Sequence, residues 1–126
     1  HHPIEIKATL SAAREITKGK VVAIVQPHRF TRLKLLFEDF TSAFNDADTV
    51  FITEIYSAGE PNHYDLTNHS LINALISAGH KDVRAFEVKE LKKCIEKKLE
   101  NGDIVVFLGA GDISAKAKLF VKETLS

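Results

Sequence analysis

Two arginines, Arg29 and Arg32, are the residues of this chain best suited to recognise an anion. They follow a short valine-rich stretch, residues 21–25, in the segment QPHRFTR. Their spacing of three places both side chains on one face of the helix that the following residues predict. A guanidinium presents planar paired donors that fit a carboxylate or phosphate, and a helix N-terminus also favours anions. The pair therefore predicts an anion-binding site; the alternative is two solvated surface charges.

The histidines of the chain do not indicate a metal site. His28 directly precedes Arg29, at a turn where a histidine is more often a packing or capping residue than a base. The six histidines lack the spacing of metal ligands, so we expect no bound metal. Their positions are His1, His2, His28, His63, His69 and His80.

Further polar segments follow two other apolar stretches. Gly109 and Gly111 come after residues 104–108, where backbone N–H groups can bind a phosphate. They match only part of the G-x-G-x-x-G pattern, and such glycines more often allow a tight turn between strand and helix. Glu54 stands at the end of the apolar stretch of residues 50–55, and Glu60 lies in the segment after it. Both either face the same crevice as the arginines or lie in a polar surface loop, which is the stronger expectation for Glu60.

The elements that must position these residues alternate between helix and strand. Apolar residues at helical spacing predict helices at residues 3–18, 30–44, 71–76, 91–99 and 113–125. Apolar runs predict buried strands at residues 21–25, 50–55, 83–86 and 104–108, with a loop at residues 56–64. This alternation is typical of βαβ units, so we expect an α/β, Rossmann-like three-layer domain with a mostly parallel sheet flanked by helices. Ligands bind such folds beyond the carboxyl ends of the strands. Because the arginines directly follow the first strand, they should lie at that ligand-binding edge.

Composition limits the location and the partners. The 126 residues predict a single domain over residues 1–126. The 17 basic and 17 acidic residues argue against nucleic acid or an anionic membrane as the main partner. Cys94 is the only cysteine, so an internal disulfide is impossible, and no apolar run approaches the roughly 18 residues of a membrane span. A cytoplasmic location is therefore expected.

Four segments together resemble the C-terminal domain of the Mur ligase family, in the branch that joins L-alanine to UDP-N-acetylmuramate. They are HHPIEI from His1, VVAIVQPHRFTR from Val21, EIYSAGE from Glu54 and GAGDI from Gly109. Their order and spacing are similar to those of the family along nearly the whole chain, and QPHRFTR is the most specific piece. Phe30 stands where tyrosine is common and Glu54 where aspartate is common; neither departure touches the arginine pair.

The resemblance implies a three-domain, ATP-dependent enzyme of peptidoglycan precursor synthesis, of which residues 1–126 are the C-terminal domain. An N-terminal domain binds the UDP-sugar, and a central domain binds most of the ATP and the Mg²⁺. The muramic acid carboxylate is activated as an acyl phosphate, which the amine of L-alanine attacks. Because this chain has no P-loop lysine, we expect it to fold without catalysing the ligation on its own.

Carried over residue by residue, the resemblance assigns Arg29 and Arg32 to the L-alanine carboxylate, with His28 and His1 lining the same cleft. His2, Gly109 and Gly111 are separate candidates for the vicinity of the nucleotide or phosphate. No residue of this chain receives a catalytic or metal-binding role. Family members carry a Tyr-Gly-His-His-Pro turn at the domain junction, which implies that His1 and His2 are native; the alternative is a tag remnant.

Two other interpretations belong to different classes of protein. A stand-alone Rossmann-like nucleotide-binding module would rely on Gly109 and Gly111 and would bind a dinucleotide without another domain. An adaptor domain without a ligand would tolerate replacement of both arginines in a full-length enzyme. The match of QPHRFTR favours the ligase interpretation over both.

Overall fold

The computed structural model describes residues 2–90, 93, 100, 102–109 and 116–118. It contains a five-stranded sheet in the order β3-β2-β1-β4-β5, in which the first four strands are parallel and β5 pairs antiparallel with β4. The strands are β1 (Val21–Val25), β2 (Thr49–Ile52), β3 (Val83–Ala85), β4 (Ile104–Leu108) and β5 (Lys116–Lys118). The described α-helices are α1 (Pro3–Ile16), α2 (Phe30–Leu35), α3 (Phe37–Thr41) and α4 (Asn68–Ser77), with a 3-10 helix at Val88–Glu90. The predicted α/β fold with a mostly parallel sheet is confirmed.

Both faces of the central strands are buried, which explains their continuous apolar runs. Val21, Ala23 and Val25 pack on one face with apolar residues of α1, α2, α3 and α4. Val22 and Ile24 point to the other face, because side chains alternate along a strand. There they join a second cluster with Phe51, Phe86 and Val105. A sheet buried on both faces is the central layer of the predicted three-layer, Rossmann-like domain.

Helix α1 begins where its sequence predicts and ends at Ile16, two residues before the predicted end. Pro3 occupies the first turn, and the ring of His2 caps the helix by accepting a hydrogen bond from Ile4 N–H to Nδ1 at 3.2 Å. Ile6 and Leu10 lie on the buried face of α1. Only residues 17–20 separate α1 from β1, so the helix runs antiparallel to the strand it packs against. The first turn of α1 therefore lies towards the carboxyl edge of the sheet.

Several predicted elements have different bounds in the structure: α1 ends two residues earlier, α4 is longer at both ends, and β3 is one residue shorter. The largest differences are in the second helix and the second strand. The single helix expected at residues 30–44 is divided at Leu36, which separates α2 from α3, and α3 ends at Thr41. Backbone hydrogen bonds continue across the division, because Leu36 N–H donates to Arg32 and Phe40 N–H donates to Leu36. The division is thus a local distortion, and Phe44 stays in the core beyond the helix. Strand β2 ends at Ile52, three residues earlier than predicted.

The helix predicted at residues 113–125 is wrong at residues 116–118, which form β5. Lys116, Ala117 and Lys118 pair with β4, alternating charged and small side chains with the period of a strand. Pairing with the open edge of β4 outweighs the local preference for helix, and lysines are common on edge strands. The rest of that helix and the helix predicted at residues 91–99 lie outside the described residues, apart from residue 93.

Candidate functional site

The strand order reverses beside β1. The chain runs from β1 to β2 and β3 on one side and then returns to place β4 on the other side of β1. At the carboxyl ends of β1 and β4, Gln26 N–H donates to the carbonyl of Leu108 at 2.9 Å. Gly109 follows β4 at this point and is buried. The segment after β1 therefore starts at the switch point of the sheet, where α/β domains bind their ligands.

One groove at this edge brings the predicted arginines together. It has a volume of about 420 Å³ and is lined by His28, Arg29, Thr31, Arg32 and Leu35, and we call it the arginine groove. Both arginine side chains are exposed. Leu35, one helical turn after Arg32, is 82% exposed and adds an apolar side chain to the rim. The groove thus offers two cationic groups and one apolar contact to a ligand.

The sequence placed both arginines at the start of the helix, but Arg29 lies just before the first helical residue, Phe30. It is the N-cap of α2, and its carbonyl accepts the first helical hydrogen bond from Leu33 N–H at 3.1 Å. Its backbone has a φ of 64°, a value that costs a non-glycine residue on the order of 1–3 kcal/mol. Since α2 has only 6 residues, its dipole adds little, and anion recognition would rest on the guanidinium groups.

The turn after β2 packs against the residues that carry the arginines. Tyr56 N–H donates to Pro27 at 2.8 Å, and Arg29 N–H donates to Tyr56 at 2.7 Å. The rings of His28 and Tyr56 stack with their centroids 5.2 Å apart. Residues 56–60, which we call the β2 turn, therefore form the support beneath residues 27–31.

A carboxylate from the β2 turn completes this contact. Glu60 accepts two hydrogen bonds from Thr31, one from the backbone N–H to Oε1 at 3.2 Å and one from the hydroxyl to Oε2 at 2.7 Å. These bonds, with the nearby charge of Arg29, hold the pKa of Glu60 below its ordinary value. Burial lowers the pKa of His28, the charges of Arg29 and Arg32 lower it further, and Glu60 opposes the shift. Neutral imidazole is therefore favoured at neutral pH, leaving two positive charges and one negative charge around the groove.

Of the other predicted site residues that the structure describes, none lines the arginine groove. His2 caps α1, whereas His1 and Gly111 lie outside the described residues. Glu54 lines a separate groove with Gln26, Phe86, Glu87 and Lys89, so the structure does not bring it to the arginines. Among the described residues, no cluster of three or more His, Cys, Asp or Glu side chains is arranged to hold a metal ion. Within the same part of the chain, no helix is both long and apolar enough to cross a membrane.

Four residues of the site were missed from the sequence or given the wrong surroundings. Leu35 lies off the apolar stripe of its helix, so the sequence alone could have identified it as an exposed apolar residue. Thr31 lies between the two arginines in the sequence, so it too could have been predicted to belong to the site. Tyr56 and Glu60 are far from the arginines in sequence, and only the folded sheet brings the β2 turn to them. Glu60 was expected to lie in a polar surface loop, and its contact with Thr31 was not predicted.

Fold and site together define a class: a Rossmann-like α/β domain with a cationic groove at the switch point of its sheet. The sequence comparison is more specific. The family model described as "Mur ligase, glutamate ligase domain" matches residues 1–111. The chain belongs to this Mur ligase family.

Several similar proteins, each about four times as long as this chain, carry the same name. The chain is 50% identical to the UDP-N-acetylmuramate–L-alanine ligase of Brucella anthropi over 98% of its own length and 26% of that protein. It is 47% identical to the protein of that name from Chelativorans sp. over 100% of its length and 27% of the relative. The chain therefore spans about a quarter of the length of these relatives. The match supports the ligase interpretation and gives no support to a stand-alone nucleotide-binding module.

Proposed function

We propose that this chain is the C-terminal, amino-acid-binding domain of a cytoplasmic, ATP-dependent UDP-N-acetylmuramate–L-alanine ligase of peptidoglycan precursor synthesis. The observation that carries the proposal is the arginine groove, in which exposed Arg29 and Arg32 meet at the switch point of the sheet. The name of the relatives supports L-alanine as the amino acid. The paired guanidinium groups suit its carboxylate, since each can donate two parallel hydrogen bonds.

The groove would serve the reaction by orienting the nucleophile. With the carboxylate bound to Arg29 and Arg32, the amine of L-alanine can point out of the groove towards the activated carboxyl of the sugar substrate on a facing domain. Such orientation can contribute several kcal/mol to lowering a barrier. Neutral His28 adds no further positive charge beside the amine, and Leu35 provides an apolar contact at the rim.

ATP and Mg²⁺ are assigned to another part of the enzyme. The sequence contains no G-x-x-x-x-G-K-[ST] segment. The described residues also contain no cluster that fits a metal ion. We therefore assign ATP and Mg²⁺ to a covalently linked central domain and UDP-N-acetylmuramate to an N-terminal domain. The relatives, about four times as long as this chain, have room for both.

Steady-state kinetics of the full-length ligase test the proposal. Arg29→Ala and Arg32→Ala should each raise KM for L-alanine and lower kcat, with less effect on KM for ATP, because the pair both binds and orients the nucleophile. A lost charge-assisted bond of about 1.5–3 kcal/mol corresponds to a roughly ten- to hundredfold loss in kcat/KM. Arginine-to-lysine variants should recover only part of the loss, since lysine lacks the planar fork.

The matched control is Lys34→Ala, which removes an exposed cation from the same helix at a position that does not line the groove. It should leave the KM values for L-alanine, ATP and UDP-N-acetylmuramate unchanged. Wild-type kinetics for L-alanine in both arginine variants would show that the arginines are ordinary surface charges.

A further inference from the structure

We infer that Glu60 is a positioning residue that fixes Arg29 and Arg32 through Thr31. The inference rests on the proposed function of the groove. Glu60 is not among the residues that line the groove, whereas Thr31 lies between the two arginines and does line it. Any effect of Glu60 on a ligand in the groove would therefore pass through Thr31 or through the electrostatic field.

Two pairs of hydrogen bonds tie the β2 turn to residues 27–31. Two are made by the backbone of Tyr56, with Pro27 at 2.8 Å and with Arg29 at 2.7 Å. The other two are made by the carboxylate of Glu60 with Thr31, at 3.2 Å and 2.7 Å. Arg29 thus lies between two anchored positions, and its φ of 64° requires such anchoring because the conformation is unfavourable for arginine.

The chemistry of the contact calls for a carboxylate of this length. Two acceptor oxygens satisfy the N–H and the hydroxyl of Thr31 together, and an ionised acceptor strengthens both bonds. In the part of the chain that the structure describes, Glu60 forms no ion pair within 4.0 Å of either arginine. Both guanidinium groups consequently stay available for the carboxylate of a ligand, while the turn that carries them is fixed.

The test separates the geometry of this contact from its charge. In the full-length ligase, Glu60→Ala should lower kcat/KM for L-alanine by about tenfold, as expected for a lost hydrogen bond to a charged group, and leave KM for ATP unchanged. Glu60→Gln should recover only part of that loss, because its single amide oxygen can still accept from Thr31 N–H but the negative charge and the second acceptor oxygen are gone. Thr31→Val should reproduce part of the loss and add little to Glu60→Ala in the double variant, since the two residues act through one contact.

The control is Glu38→Gln, which removes an exposed negative charge from α3. The side chain of Glu38 makes no hydrogen bond to other described residues. It should behave as wild type. Two results overturn the inference while Arg29→Ala remains impaired: wild-type kinetics for Glu60→Ala, or an equal rise in KM for ATP, which would indicate general damage. If Arg29→Ala itself has wild-type kinetics, the proposed function fails first, and the role of Glu60 fails with it.

Discussion

The unusual backbone of Arg29 predicts that glycine stabilises the fold more than alanine does at this position. Glycine usually destabilises a fold relative to alanine. Arg29 has a φ of 64°, where a side chain clashes with its own backbone and glycine does not. Arg29→Gly should therefore be more stable than Arg29→Ala, because alanine keeps the strain and glycine releases it. The guanidinium of Arg29 is thus carried by a backbone conformation that glycine would adopt at lower cost.

The magnitude follows from two opposing effects. Release of the strain contributes about 1–3 kcal/mol. The greater freedom of glycine in the unfolded chain offsets roughly 0.4–1 kcal/mol of it. The difference should be about 0.5–2 kcal/mol in favour of Arg29→Gly. For 126 residues, an unfolding entropy of about 2.1 cal/mol/K per residue converts this difference to roughly 2–8 °C in Tm.

Urea denaturation and thermal unfolding of the chain measure the difference. Arg32 provides the matched control, since it lies inside α2 and lines the same groove. Arg32→Gly should be less stable than Arg32→Ala, by up to about 1 kcal/mol, as is usual within a helix. If Arg29→Ala proved as stable as Arg29→Gly or more so, Arg29 would not be strained by a positive φ and would not need the β2 turn to hold it.

Three further predictions concern the charge of the groove, the pH dependence of stability and the chemistry of the chain. Glu60→Gln should lower the pKa of His28, measured by NMR titration, because a nearby negative charge favours the imidazolium form; Glu38→Gln should not. Since the folded-state pKa of His28 lies below its ordinary value, its contribution to stability should be lost as pH falls below about 6.5, where the unfolded chain binds the proton more readily. The purified chain should fold but release no phosphate from ATP with UDP-N-acetylmuramate and L-alanine; turnover would contradict the assignment of the ATP site to another domain.

The parallel sheet was predictable because its strands are buried on both faces. Such strands appear in the sequence as short continuous apolar runs, and those at β1 and β4 match the structure residue for residue. The arginine pair was found for the same reason, since polar residues that follow a buried parallel strand must emerge at its carboxyl edge. Position relative to a strand was thus a stronger signal than residue type alone.

The contacts that the sequence did not reveal are those between distant segments. Thr31 and Glu60 are joined only because β1 and β2 are adjacent in the sheet, and neither residue type indicates the pairing. Strand β5 depends on the open edge of β4 in the same way. Local periodicity cannot report such pairing, because the partner lies elsewhere in the chain.

The most direct test of the central claim compares two substrates of the full-length ligase that differ only at the carboxylate. L-alaninamide keeps the amine nucleophile of L-alanine and lacks the negative charge that Arg29 and Arg32 are proposed to bind. The wild-type enzyme should prefer L-alanine strongly in kcat/KM, and the Arg29→Ala/Arg32→Ala variant should lose that preference by roughly ten- to hundredfold or more. An unchanged preference in the variant would show that the carboxylate is recognised elsewhere and would contradict the account.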